Sequence, residues 1–291
     1  MRLTLQSKKN ILGGLLALPP LVYLVLLFVV PCALLVLYSF WSAKAFVLDY
    51  AWNLDNYRRI IGSQAFLWTT WSGVQNGLWT ASLSLLFSFP VAWFITYRAR
   101  SGWILYLVLL SWFSSYLVRV YAWRTILGTN GLLNSLLMNS GLIHRPLEFL
   151  LFSQFATVLT LIHIMFPFTL LMLVSGLREV KADFIHAAKD LGASNTQVLI
   201  RVVLPMMHKA IVGSFMLSFI LAAGDYVTPQ MLGGRDGVTS GLLIANQFRS
   251  AGNWPMGAAM ALVLALMFLV IYVLFVRLLS ILRLAPGRRY H

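Results

Sequence analysis

Long charge-free runs alternate with short charged segments along this chain. Residues 10–43, 60–97, 149–177 and 250–276 contain no Asp, Glu, Lys or Arg. Each run exceeds the roughly 20 residues a helix needs to cross a bilayer. With the shorter apolar stretches between them, the pattern predicts six spans, at about 13–41, 72–97, 103–127, 152–177, 207–232 and 257–282. Backbone at hydrocarbon depth must satisfy its own hydrogen bonds, so the spans are expected to be helices. A β-barrel would show apolar residues at every second position. The expected fold class is therefore all-α, a polytopic membrane protein forming one transmembrane domain over 1–291 with its core at 72–282.

Composition agrees with this pattern. The chain has 291 residues, 60% hydrophobic and only 10% charged, where a soluble domain carries about a quarter charged residues. The net charge of +14 would suggest nucleic acid if it clustered on a soluble domain. Here the lysines and arginines sit in short segments between apolar runs, so membrane topology accounts for them and no nucleic-acid partner is expected. One side collects Arg2, Lys8, Lys9, Arg98, Arg100, Arg178, Lys181, Lys189, Arg201, Lys209, Arg277, Arg283, Arg288 and Arg289. The other collects Lys44, Arg58, Arg59, Arg119, Arg124, Arg145, Arg235 and Arg249. The larger set should face the cytoplasm, which places both termini there. The first apolar run is too long for a signal-peptide core and reads as a retained span. Its Cys32 has no second cysteine to pair with.

Residues 182–205 form a polar island in this apolar chain. Asp183 can cap a short helix that shows Phe184, Ile185, Ala188 and Leu191 on an apolar face. Gly192 suits the left-handed conformation that ends a helix. Ser194 or Asn195 can cap a second helix that runs to Pro205 and into the fifth span. The small Ala187 and Ala188 would let another surface approach the helix backbone closely. A helix lying flat on the bilayer fits the same pattern; a docked soluble partner is the other reading.

The spacing resembles the signature loop of ABC-importer permeases, in which Glu-Ala-Ala is followed after three residues by Gly and about nine later by Ile-x-Leu-Pro. Here His186-Ala187-Ala188, Gly192 and Val202-Val203-Leu204-Pro205 stand at those positions. His186 replaces the glutamate, leaving Asp183 or Asp190 to supply an acid. Leu54-Asp55-Asn56-Tyr57, Asn76, Pro90-Val91-Ala92 and Ala223-Gly224-Asp225-Tyr226-Val227-Thr228-Pro229 extend the likeness over roughly 15–282. The last segment is similar to polyamine permeases. The resemblance implies a type I ABC importer permease fold in the inner membrane, surrounded by lipid. It also implies two ATPase subunits, a second permease subunit and an extracytoplasmic solute-binding protein. The 182–205 loop would be the coupling helix, with Asp183, His186, Ala187, Ala188, Asp190, Gly192 and Pro205 contacting the ATPase.

Asp225 is the one acid inside or at the edge of an expected span. Intramembrane carboxylates usually face a partner or a water-filled path. Gly224 and Pro229 can interrupt the helix and free carbonyls for a cation, so Asp225 and Tyr226, with Tyr116 and Trp123, are candidates for a substrate path. A span that simply ends near Asp225, leaving the acid to cap a helix, fits equally. Arg119 and Arg124 read first as side chains reaching for lipid headgroups, and His163 as a histidine hydrogen-bonded within the bundle.

No G-x-x-x-x-G-K-[ST] loop, H-E-x-x-H or C-x-x-C occurs. No catalytic set, metal site or cofactor is expected, and ATP hydrolysis would fall to a separate subunit. A stand-alone secondary transporter of an organic cation is the alternative, although only Asp225 is available for ion coupling.

Overall fold

The computed structural model describes residues 16–44, 47–99 and 102–281. The positive residues Arg2, Lys8, Lys9, Arg100, Arg283, Arg288 and Arg289 lie outside the described residues, as do span positions 13–15 and 282. The elements follow in chain order: α1 (Leu16–Ser39), the hairpin strands β1 (Ser42–Lys44) and β2 (Val47–Asp49), α2 (Asp55–Gly62), α3 (Gln64–Tyr97), α4 (Trp103–Trp112), α5 (Tyr116–Leu127) and α6 (Leu132–Asn139). After them come α7 (Gln154–Glu179), α8 (Ala182–Asp190), α9 (Asn195–Met206), α10 (His208–Ala223), α11 (Val227–Leu232), α12 (Ser240–Arg249) and α13 (Trp254–Ile281). Four helices are long and apolar enough to cross a membrane, and six spans result if α4 with α5–α6, and α9 with α10, each count as one bent span.

Three expected spans differ in outline. The second begins at Gln64 rather than 72: the added turns bury Phe66, Thr69 and Thr70, and Thr69 folds its hydroxyl back onto the Ala65 carbonyl (2.8 Å). The third bends by 92° after Trp112. There Ser111 and Ser114 hydroxyls bind the carbonyls of Val108 (2.6 Å) and Ser111 (2.9 Å), competing with the helical ladder. The fifth is α9 and α10 taken together, bent 71° at Met207; its second arm, α10, is 16 residues long and is ended by Gly224 before α11. Pro205 cannot donate to the Arg201 carbonyl, and the preceding turn widens into a π-helical segment, Leu199–Val203.

The chain clusters into two bodies. Among the described residues, the first comprises those up to 63 together with 244–263. Within it, α1 keeps nearly its whole length exposed, as a lipid-facing helix would. Its end is tied down by α2: Asn56 Nδ2 donates to the carbonyls of Ser39 (3.0 Å) and Trp41 (2.7 Å), and Tyr57 Oη donates to Ser39 Oγ (2.7 Å). Those bonds supply partners for carbonyls the helix itself leaves open. The hairpin pairs Ser42 with Asp49 in antiparallel register.

The second body comprises the described residues of 64–243 and 264–281, and its centre is α3 packed against α7 and α10. Leu170, Leu173, Val174 and Leu177 of α7 meet Ala92 and Ile95 of α3 in one apolar cluster. Phe215 and Phe219 of α10 form another with Val74 and Ala81, and the Phe275 ring stacks on Phe215 at 3.9 Å. Small residues set the spacing: a Cβ on Gly77 would lie 2.7 Å from Ala223 Cβ. Close backbone approach through small side chains is how helices associate where lipid removes the hydrophobic drive. Among the polar residues buried there, Thr169 and Ser218 hydroxyls bond across α7 and α10 at 2.9 Å.

Candidate functional site

The island folds as two helices joined at Gly192. Every residue of α8 is exposed or half-buried. Lys181, not Asp183, takes the N-cap position, and Asp183 lies in the first turn, where its carboxylate still faces the positive end of the helix dipole. The apolar face divides. Ile185 and Ala188 pack on the α3–α7 cluster. Phe184 and Leu191 point away from it, 51% and 89% exposed. Ala187, His186 and Asp190 are exposed on the same short helix, and Pro205 is half-buried in α9. Gly192 has φ +84°, the left-handed conformation expected of it, with open space around its missing Cβ. Ser194, not Asn195, caps α9. Its hydroxyl accepts from the Gln197 amide (3.3 Å) while Gln197 Oε1 accepts from the Ser194 amide (2.8 Å), a reciprocal capping box.

Asp225 sits in the break between α10 and α11. Oδ1 accepts from the Val227 amide (3.1 Å) and Oδ2 from the Thr228 amide (3.2 Å), so the carboxylate satisfies the start of α11. Oδ2 also accepts from Tyr116 Oη at 2.8 Å, across 109 positions of sequence. Tyr116 Oη lies 2.7 Å from Thr228 Oγ1, and Thr239 Oγ1 donates to the Asp225 carbonyl at 3.0 Å. The helix-capping and partnered readings of Asp225 thus hold together in one cluster. Tyr226 is half-buried beside it in sequence. Trp123 belongs to a different contact, donating from Nε1 to His163 Nδ1 at 2.9 Å.

Arg119 corrects an expectation. It is 7% exposed, buried within the helices rather than extended toward lipid, and its Nε and Nη1 lack hydrogen-bond partners among the described residues. Arg124, one to two turns on, is exposed and lies 6.0 Å from the Phe152 ring. Asn76, 2% exposed, accepts from Gln154 Nε2 at 3.2 Å. Sequence reasoning did not single out Thr228, Thr239 or Gln154, because a lone hydroxyl or amide in an apolar run gives no local signal. Among the described residues, no group of three His, Cys, Asp or Glu side chains is placed to hold a metal ion.

The family described as "binding-protein-dependent transport system inner membrane component" matches residues 13–284. The spermidine/putrescine transport system permease protein PotB of Escherichia coli (strain K12) is 30% identical over 225 residues, 75% of this chain and 81% of that protein. The inner membrane ABC transporter permease protein YdcU of the same strain is 30% identical over 208 residues, covering 67% and 66%. Among solved structures, a chain of a bacterial alginate ABC transporter in complex with an alginate pentasaccharide-bound periplasmic protein superimposes with a TM-score of 0.70. It is 20% identical and covers 96% of this chain and 97% of its own. Identity that low speaks to the fold.

Proposed function

Since this chain belongs to the family of binding-protein-dependent transport system inner membrane components, we propose that it is the membrane path by which an ATP-driven importer admits a polyamine such as spermidine or putrescine. The chain is an ABC importer permease component with a transport role in a multi-pass inner-membrane setting, and it has a type I permease fold. The substrate class rests on the relatives that carry spermidine/putrescine names and on Asp225, a carboxylate set where a helix breaks. The alginate transporter shares the fold and handles an acidic polysaccharide, so architecture alone does not choose the cargo.

In this reading α8 is the coupling helix. One observation carries it: a short helix between two spans that leaves Phe184 and Leu191 bare while Ile185 and Ala188 anchor it to α3 and α7. Apolar side chains exposed on an anchored helix suit a protein surface that closes over them. Two ATPase subunits would take up this helix and its counterpart on a second permease subunit, and a solute-binding protein would dock on the opposite side. Asp183, His186, Ala187, Ala188 and Asp190 would line the contact, with Gly192 and Pro205 shaping it. Both termini would then be cytoplasmic, with the α8 loop. A stand-alone secondary transporter is not favoured, given the family match.

The test is purification of the tagged chain in mild detergent from cells that carry the whole transporter. Co-purification of an ATPase with wild type, and its loss or uncoupling with Gly192→Val, is the expected result. Wild type that purifies alone and transports into liposomes without ATP would overturn the reading.

A further inference from the structure

Phe89, Trp93 and Tyr97 recur every four residues along α3 and form a single aromatic stripe, with ring centroids 6.2 and 4.7 Å apart. Eight residues of helix carry this stripe about 12 Å along the axis, from the end of the span toward its interior. Tyr97 Oη donates to the Leu177 carbonyl at 3.1 Å and fixes its outer end. Two concavities open along it. The deeper one, about 380 Å³, is walled by Phe89, Pro90, Trp93 and Leu199, with Asn195 and Thr196. The outer one, about 500 Å³, is bordered by Tyr97, Arg98, Ile185, His186 and Lys189. Trp93 and Asn195 line both, so the two adjoin along the stripe. Among the described residues, no acidic side chain lines either one.

We propose that this groove holds one anionic phospholipid, its phosphate between Arg98 and Lys189 and an acyl chain along Phe89 and Trp93. The arrangement of chemistries argues for a lipid over a free anion. Arg98 directly follows the last residue of α3, a charge at the end of an apolar span of the kind that meets headgroups, and the apolar half runs back along the helix, where an acyl chain would lie. A water-soluble anion would use only the outer half. Basic pockets between helices at the membrane surface are suited to acidic headgroups, and the aromatic stripe offers flat apolar walls with polar tips at the interface. The site requires only that α3 crosses the bilayer, and it stands whether or not the cargo is a polyamine or α8 couples to an ATPase. Its consequence is local: a lipid here touches α3, α8 and α9 at once.

Native mass spectrometry of the purified chain, titrated with phosphatidylglycerol or phosphatidylcholine, tests it. Wild type is expected to retain one phosphatidylglycerol at least fivefold more tightly than phosphatidylcholine. Arg98→Ala with Lys189→Ala should bring the two lipids to parity, and Trp93→Ala should weaken both together. Arg178→Ala with Lys181→Ala, outside the lining, should leave the preference intact. If the double variant is not monodisperse, Lys189→Gln alone should still lower the preference about threefold. Equal binding of both lipids by wild type, or an equal loss in the Arg178/Lys181 control, would overturn the site. So would displacement by millimolar glycerol 3-phosphate, which would make the ligand a soluble anion. A photo-crosslinker at position 93 that captures another protein subunit of the assembled transporter in place of lipid would overturn it too.

Discussion

The α8 loop and the Asp225 cluster are built in opposite ways. The loop is continuous in sequence and unfinished in space: its helix buries little, and Phe184 and Leu191 face outward. The cluster is scattered in sequence and complete in space, with both carboxylate oxygens of Asp225 engaged by Tyr116, Val227 and Thr228. Between them lies α10, about 24 Å of helix. In the proposed importer, the contacts missing from the open surface come from another molecule. A polar cluster closed on itself holds its charge in readiness and gives it up only to something that competes for the same oxygens.

The sharpest way to break this contrast is at Gly192. Its left-handed φ costs a branched residue about 1–2 kcal/mol, and open space around it leaves conformation as the only obstacle. Gly192→Val is expected to abolish uptake while the protein still inserts. Gly192→Asn, which tolerates that conformation, should retain most of it. Uptake of labelled spermidine, with membrane abundance measured alongside, decides the point; equal loss in both variants would place the need for Gly192 elsewhere than in its backbone.

Asp225→Asn comes next. The amide keeps an acceptor for the α11 start but removes the charge, so uptake should fall roughly tenfold, equivalent to about 1.4 kcal/mol, with the assembled complex still purifying. Unchanged uptake would reduce Asp225 to a helix-capping residue. Tyr116→Phe removes one hydrogen bond to that carboxylate, worth on the order of 1–3 kcal/mol when the acceptor is charged and partly buried. It should lower thermal stability by a few degrees and uptake by a smaller factor than Asp225→Asn. The smallest effect is expected from Ser194→Ala, which takes away the capping box of α9. A loss of about 1 kcal/mol in thermal unfolding with near-normal uptake would show that the cap supports the loop without taking part in its contact.

How legible each region was follows from the same contrast. The loop could be read because its signals are local: Gly192 where a helix must end, Ser194 and Gln197 three residues apart, Pro205 in the last turn of α9. Even there, Asp183 was assigned a cap that falls to Lys181, since helix starts shift by a residue or two without changing the pattern. In the cluster, only Asp225 announced itself, as a charge in an apolar run. Tyr116 was singled out beside it, but their contact spans 109 positions, and Thr228 and Thr239 look in sequence like any hydroxyl on a helix. Arg119 was misread for a related reason. Hydropathy places an arginine near a span end and cannot see that the third span bends by 92° and carries it inward. At that bend two serine hydroxyls bind nearby carbonyls, and composition counts them as mildly polar residues and nothing more.

The 34 residues of α3 make a rod about 51 Å long, well beyond the roughly 30 Å of a hydrocarbon core. Such a rod acts as a lever. A rocking of about 10° about its midpoint displaces each tip by roughly 4 Å in opposite directions. Asn76, bonded to Gln154, lies in the first half of this lever and Tyr97, bonded to the Leu177 carbonyl, at its far tip. A push delivered to one tip would reach the other as a motion of the opposite sign, with Pro90, which cannot donate to the Leu86 carbonyl, as the point where the lever flexes.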